Sequence, residues 1–116
     1  MSGIRLKRAY DPAEPEDGTR ILVDRLWPRG LSRGEAKVDQ WLKEVAPSAE
    51  LRRWFGHDPA KWAEFRRRYK AELADNPSLE ELRALLRRER RVTLLFGARD
   101  VEHNNAVVLR DLCARA

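Results

Sequence analysis

Residues 20–35 read RILVDRLWPRGLSRGE, and their first half decides the fold. Ile21, Leu22 and Val23 are consecutive β-favouring apolar residues with no polar alternation, the pattern of a strand buried on both faces. Such strands belong to parallel sheets covered by helices. The same stretch then fills with Asp24, Arg25, Trp27 and Arg29, more charge and bulk than a simple turn requires.

The flanking sequence supports this reading. Upstream, IRLKRAY (4–10) alternates as a half-buried strand, and DPAEPEDG (11–18) is a proline- and acid-rich loop. Downstream, Ser32 to Glu35 has the spacing of a capping box and opens a helical turn. VDQWLKEV (38–45) fits strand or helix and is read as a short strand carrying Trp41. Three helices follow. The first starts at Pro47-Ser48, spaces Leu51, Trp54 and Phe55 along one face and ends at Gly56. The second opens at Asp58-Pro59 as N-cap and N1 and aligns Trp62, Phe65, Tyr69 and Leu73. The third is assigned a capping box at Ser78–Glu81, ahead of Leu82, Leu85 and Leu86. RVTLLFGARD (91–100) returns to a buried strand over Val92–Phe96, and a last helix carries Val108, Leu109 and Leu112. The expected fold is a single α/β domain over 1–116, a small three-layer structure with a mainly parallel central sheet of about four strands flanked by helices.

Composition narrows the function classes. The 116 residues are 42% hydrophobic and 37% charged, which suits a folded domain rather than a disordered chain. One cysteine, Cys113, rules out an internal disulfide framework and multi-cysteine zinc sites, and reads as core filling. The first twenty residues lack an apolar signal-like run and no stretch is long enough to span a membrane, so a cytoplasmic protein without membrane association is expected. No P-loop, dinucleotide fingerprint or nucleophile–histidine constellation occurs, and no cofactor or metal is expected. The net charge is +5, but glutamates are interleaved with the arginines, the pattern of an ion-paired surface.

Ligands of open parallel sheets sit beyond the carboxyl ends of the strands. Two such ends are dense in polar residues here. One offers Asp24, Arg25, Trp27 and Arg29; the other, GARDVEHNN (97–105), offers Gly97, Arg99, Asp100, His103 and Asn104 at a helix start. The leading expectation is a pocket for a small anionic, phosphate-bearing ligand. Arg25 clamps the anion, helped by Arg29, Arg99 and the N–H groups near Asn104, while Gly97 lets backbone approach. His103 is the proton carrier of this edge, with Asp24 and Asp100 as its carboxylates. Trp27 either stacks on a ligand ring or packs in the core. His57 and Asp58 join if their helix end folds over the same edge; otherwise they are a helix-end residue and its cap. Alternatively, Asp24 with Arg99, or Arg25 with Asp100, pair to close the sheet's end.

Two other classes remain open. Nucleic-acid binding requires Arg66–Arg68 of EFRRRYK and Arg87–Arg91 of LLRRERR to share one face. A protein-interaction module requires an exposed apolar patch around Trp54 or Trp62.

Three strings, RILVDRLWPRGLSR, WLKEVAPSAELRRWFGHDPAKWAEFRRRY and VTLLFGARDVEHNNAVVLRDL, resemble the domain-of-unknown-function 488 family in its YeaO-like branch of small bacterial proteins. The resemblance spans nearly the whole chain and implies a compact α/β domain; it brings no activity with it. Larger relatives have a cysteine-histidine-arginine string where this chain reads EHNN at Glu102–Asn105, so the resemblance implies no cysteine chemistry here.

Overall fold

A computed structural model describes residues 3–114. Four strands, β1 (Ile4–Arg8), β2 (Thr19–Leu22), β3 (Gln40–Trp41) and β4 (Val92–Phe96), form one sheet in the order β1-β4-β2-β3. Every pairing is parallel. The helices are α1 (Arg33–Ala36), α2 (Ala49–Phe55), α3 (Trp62–Ala74), α4 (Pro77–Arg88) and α5 (Asn105–Cys113). The short strand expected around Trp41 is β3, at the sheet's edge.

Strand alternation separates two unequal faces. Ile21, Val23, Val92, Leu94 and Phe96 point into the main core, where they meet Leu51 and Phe55 of α2, Phe65, Tyr69 and Leu73 of α3, Leu82 of α4 and Val108 and Leu109 of α5. The opposite face is thinner. Leu22 and Leu95 pack there with Ala9, Trp27, Leu31 and Trp41, beneath α1 and its flanking loops. β4 is buried along its whole length; it is apolar except for Thr93, whose hydroxyl donates to Asp17 O at 2.8 Å.

Local chemistry sets the helix starts. Ser32 and Glu35 form the reciprocal capping box of α1, and Ser48 Oγ accepts from Leu51 N–H at the start of α2. Gly56 ends α2 in the left-handed region, φ 53°. Asp58 caps a 3₁₀ turn over Pro59–Lys61 that leads into α3, two elements where one helix was expected. The start of α4 corrects the sequence reading. Its N-cap is Asn76, which accepts from Ser78 N–H, with Pro77 at N1. Proline's fixed φ and missing donor suit that first position, so the helix begins ahead of the Ser78–Glu81 box.

Candidate functional site

The carboxyl ends of β2 and β4 are neighbours, so the two polar stretches meet at one edge. Between them lies a cleft of about 210 Å³. Asp24 forms part of its floor, accepting a hydrogen bond from Gly97 N–H at 2.8 Å. The Asn105 amide donates to Val23 O at 2.9 Å and also supports the Asp24 carboxylate. Burial raises the Asp24 pKa; the Gly97 and Asn105 donors and the charges of His57 and Arg52 pull the other way without cancelling it.

Arg25 lies beside this carboxylate but turns to the loop before α2. Its Nη2 donates to Ala46 O at 3.3 Å and Pro47 O at 3.5 Å, and Nη1 lies 3.6 Å from Glu44. Its Nε is buried and has no hydrogen-bond partner among the described residues. Such an atom is a donor held out of water and left over. Asn104 forms another part of the wall: Oδ1 caps α5 through Val107 N–H, and Nδ2 donates to Asp100 O at 2.9 Å. His57, in the left-handed region with φ 58°, and Arg52 complete the polar rim over apolar Phe55 and Phe65.

Five of the residues nominated from sequence therefore line the cleft: Asp24, Arg25, Gly97, Asn104 and His57. The others are not brought into it. Trp27 packs on the thin face, its indole N–H on Leu31 O at 2.6 Å and its ring edge-on to Trp41. It is a packing residue, because β2 ends at Leu22 and the chain beyond crosses to that side. Arg29 and Arg99 are exposed. Asp100 accepts from the backbone N–H groups of Glu102 and His103 and, at 2.8 Å, from His103 Nδ1. The Glu102 N–H first, then the imidazole and the His103 N–H, hold its carboxyl below the usual range. The ionised carboxylate places the proton on His103 Nδ1, whose ring stands edge-on to Trp62 and not in the cleft. Asp58 is spent as a cap. Neither alternative pairing forms, since Asp24 takes Gly97, Arg25 faces Glu44, and Asp100 takes His103.

Arg52 and Asn105 were missed. Arg52 sits beside core residue Leu51 on the α2 face that periodicity assigns to solvent, and Asn105 looks like a second copy of the cap residue before it. Trp54 lies beneath Lys61 and Arg68, with ring-to-cation distances of 5.0 and 4.4 Å, and Trp62 packs on Phe55 and Phe65. Neither heads an open apolar patch. Burial pushes the Cys113 thiol up, opposed by Arg83. Among the described residues no His, Cys, Asp and Glu side chains group closely enough to hold a metal, and no helix is long and apolar enough to cross a membrane.

Comparison with known proteins assigns a family. Residues 3–116 match the family model DUF488-N3i, described as the inactive DUF488-N3 subclade. The chain belongs to that family. It is 45% identical over 108 residues to the uncharacterized protein YeaO of Escherichia coli, covering 93% of this chain and 94% of that protein. It is 44% identical over 109 residues to the uncharacterized protein Rv3073c of Mycobacterium tuberculosis, covering 94% and 92%. No solved structure matches the chain. Among the described residues two buried side-chain nitrogens lack a partner, Arg25 Nε in the cleft of this DUF488-N3i chain and Arg66 Nε on α3, away from it.

Proposed function

We propose that this DUF488-N3i protein binds a small anion in the cleft between Asp24, Arg25 and Asn104, without turning it over. The observation that carries the reading is the buried, unpartnered Nε of Arg25 in a cleft that Arg52 and His57 also line. Size narrows the ligand. A volume near 210 Å³ falls below the roughly 300–1,000 Å³ of pockets for drug-sized ligands, which suits a phosphate or a small carboxylate. A whole nucleotide would leave its base and sugar outside. Binding is favoured over catalysis because His103 and Asp100 are paired with each other outside the cleft, and because the family description reads "inactive".

The test is a thermal-shift screen against inorganic phosphate, small carboxylates, sugar phosphates and nucleotides at fixed ionic strength. At ~100 times its Kd the right anion stabilises the fold by about 2.7 kcal/mol, a shift of several degrees. Arg25→Ala should lose that shift and keep nearly the same ligand-free Tm. A flat response to every anion rejects the reading; an Arg25→Ala protein that unfolds outright marks Arg25 as a structural tie to Ala46 and Pro47.

A further inference from the structure

The opposite edge of the sheet carries a second cationic feature, independent of the cleft. An open groove of about 950 Å³ runs along the amino ends of β1 and β4, beside the end of α4. Five arginines line it, Arg5, Arg87, Arg88, Arg90 and Arg91, against two acids, Glu16 and Glu89. Part of this charge is already matched. Arg5 reaches Asp17 at 3.3 Å, and Arg88 reaches Glu89 at 3.2 Å. Glu89 also accepts from Thr19 Oγ1 at 2.9 Å. Arg87, Arg90 and Arg91 are exposed and meet no carboxylate among the described residues.

Arg87 stands on the last turn of α4, and the turn that presents Arg90 and Arg91 is fixed. Thr19 N–H donates to Arg91 O at 2.9 Å, and Gly18 packs so closely beneath that a Cβ there would stand 2.3 Å from the same oxygen. Gly18 holds φ 64°, a conformation that favours glycine. Arginines on a braced turn give up less freedom on binding than arginines on a mobile tail.

We propose that this groove binds the phosphate backbone of a nucleic-acid duplex without reading its bases. Guanidinium forks match phosphate oxygens, and the overall charge of +5 favours polyanions. No aromatic residue lines the groove, so it lacks the stacking platforms on which single-stranded bases are held. The arginines of EFRRRYK do not extend it. Arg67 and Arg68 are held by Glu64, and Arg66 lines a separate depression with Lys70 and Asp111. The nucleic-acid surface is thus the amino edge of the sheet alone, not a face shared by both arginine runs.

The test compares two triple variants of equal charge, R87Q/R90Q/R91Q in the groove and R53Q/R67Q/R68Q away from it. Each lowers the net charge from +5 to +2. Affinity for a short mixed-sequence DNA duplex is measured against salt, with circular dichroism to confirm folding. The groove triple should flatten the slope of log K against log salt by roughly 2.7. Raising salt from about 50 to 200 mM then costs it roughly 40-fold less affinity than it costs the wild type. The remote triple should keep the wild-type slope, and Arg25→Ala should bind the duplex normally. If the groove triple fails to fold, R87Q alone carries the test, with a slope change of about 1. Equal losses in both triples, tighter binding of a single strand than of the duplex, or no salt-dependent duplex binding by the wild type overturns the proposal.

Discussion

Asp17 and Asp24 are carboxylates seven positions apart with opposite surroundings, one before β2 and one after it. Asp17 is fully buried and fully answered. It accepts from Glu14 N–H at 3.1 Å, Lys7 Nζ at 3.0 Å and Arg20 Nη1 at 2.7 Å. Arg20, itself buried, gives its remaining donors to the carbonyls of Ala36 and Lys37. Burial alone would raise the Asp17 pKa, but the Glu14 N–H, Lys7 and Arg20 outweigh it and hold the carboxyl low. Asp24 has a backbone N–H and an amide, and the arginine beside it faces elsewhere, so burial wins. A matched buried charge ties loops to a sheet; an unmatched one keeps interaction capacity for something else.

The sharpest way to break this comparison is to remove the matched carboxylate. Asp17→Ala leaves buried Arg20 without a carboxylate and Lys7 with Glu14 alone, at 3.0 Å. Removing one partner of a buried charge cluster costs about 3–5 kcal/mol, because the charges left behind remain desolvated. Urea denaturation should show that loss, and Tm should fall by roughly 10–20 °C for a domain of this size. A loss below about 1 kcal/mol would mean the cluster is solvated and its geometry incidental.

A smaller and more discriminating effect concerns pH. Asp17 titrates below its ordinary value of 3.8 in the folded state, so its contribution is present above that value and is lost as pH falls through the depressed folded pKa. Asp24 titrates above its ordinary 3.8, so the fold binds that proton more tightly than the unfolded chain. Stability is therefore lost as pH rises from 3.8 through the elevated folded pKa. Replacement by asparagine, which keeps an acceptor oxygen, removes each titration. The Asp17→Asn deficit should shrink as pH falls below 3.8, whereas Asp24→Asn should gain relative to wild type as pH rises above it. Parallel pH profiles for the two variants would erase the distinction between matched and unmatched carboxylates.

Much of the frame is readable from the chain because it rests on local chemistry. The apolar run of β4, Ser48 and Gly56 at the ends of α2, and the polar residues gathered after β2 and β4 are each signalled within a few positions. Asn76 was hidden by a competing signal, since Ser78 and Glu81 have the same spacing as a true capping box. The Asp17 cluster was hidden for another reason. Lys7 is ten residues from Asp17 in sequence, and only the pairing of β1 and β2 with β4 places them together. Only some of the residues nominated at the two strand ends come together in the cleft, because direction is lost once a strand ends. Asp24 and Trp27 leave β2 on one loop yet finish on opposite sides, and nothing in that spacing separates them.

The mildest probe acts on the contact that joins both walls of the cleft. A Cβ on Gly97 would lie 3.3 Å from Asp24 Oδ2, tight but not prohibitive, and Gly97 is not held at positive φ. Gly97→Ala should thus gain some backbone stiffness and lose some packing, leaving stability within about 1 kcal/mol of wild type. The added methyl presses on the carboxylate that forms part of the floor, so the anion-induced thermal shift should shrink although Arg25 is untouched. That pattern separates floor from clamp: Arg25→Ala removes the charge that attracts the anion, while Gly97→Ala leaves the charge and alters the space. Should Gly97→Ala keep the full wild-type shift, the anion rests against Arg25 and Arg52 at the rim, and the Asp24–Gly97 contact belongs with Asp17 among the structural ties.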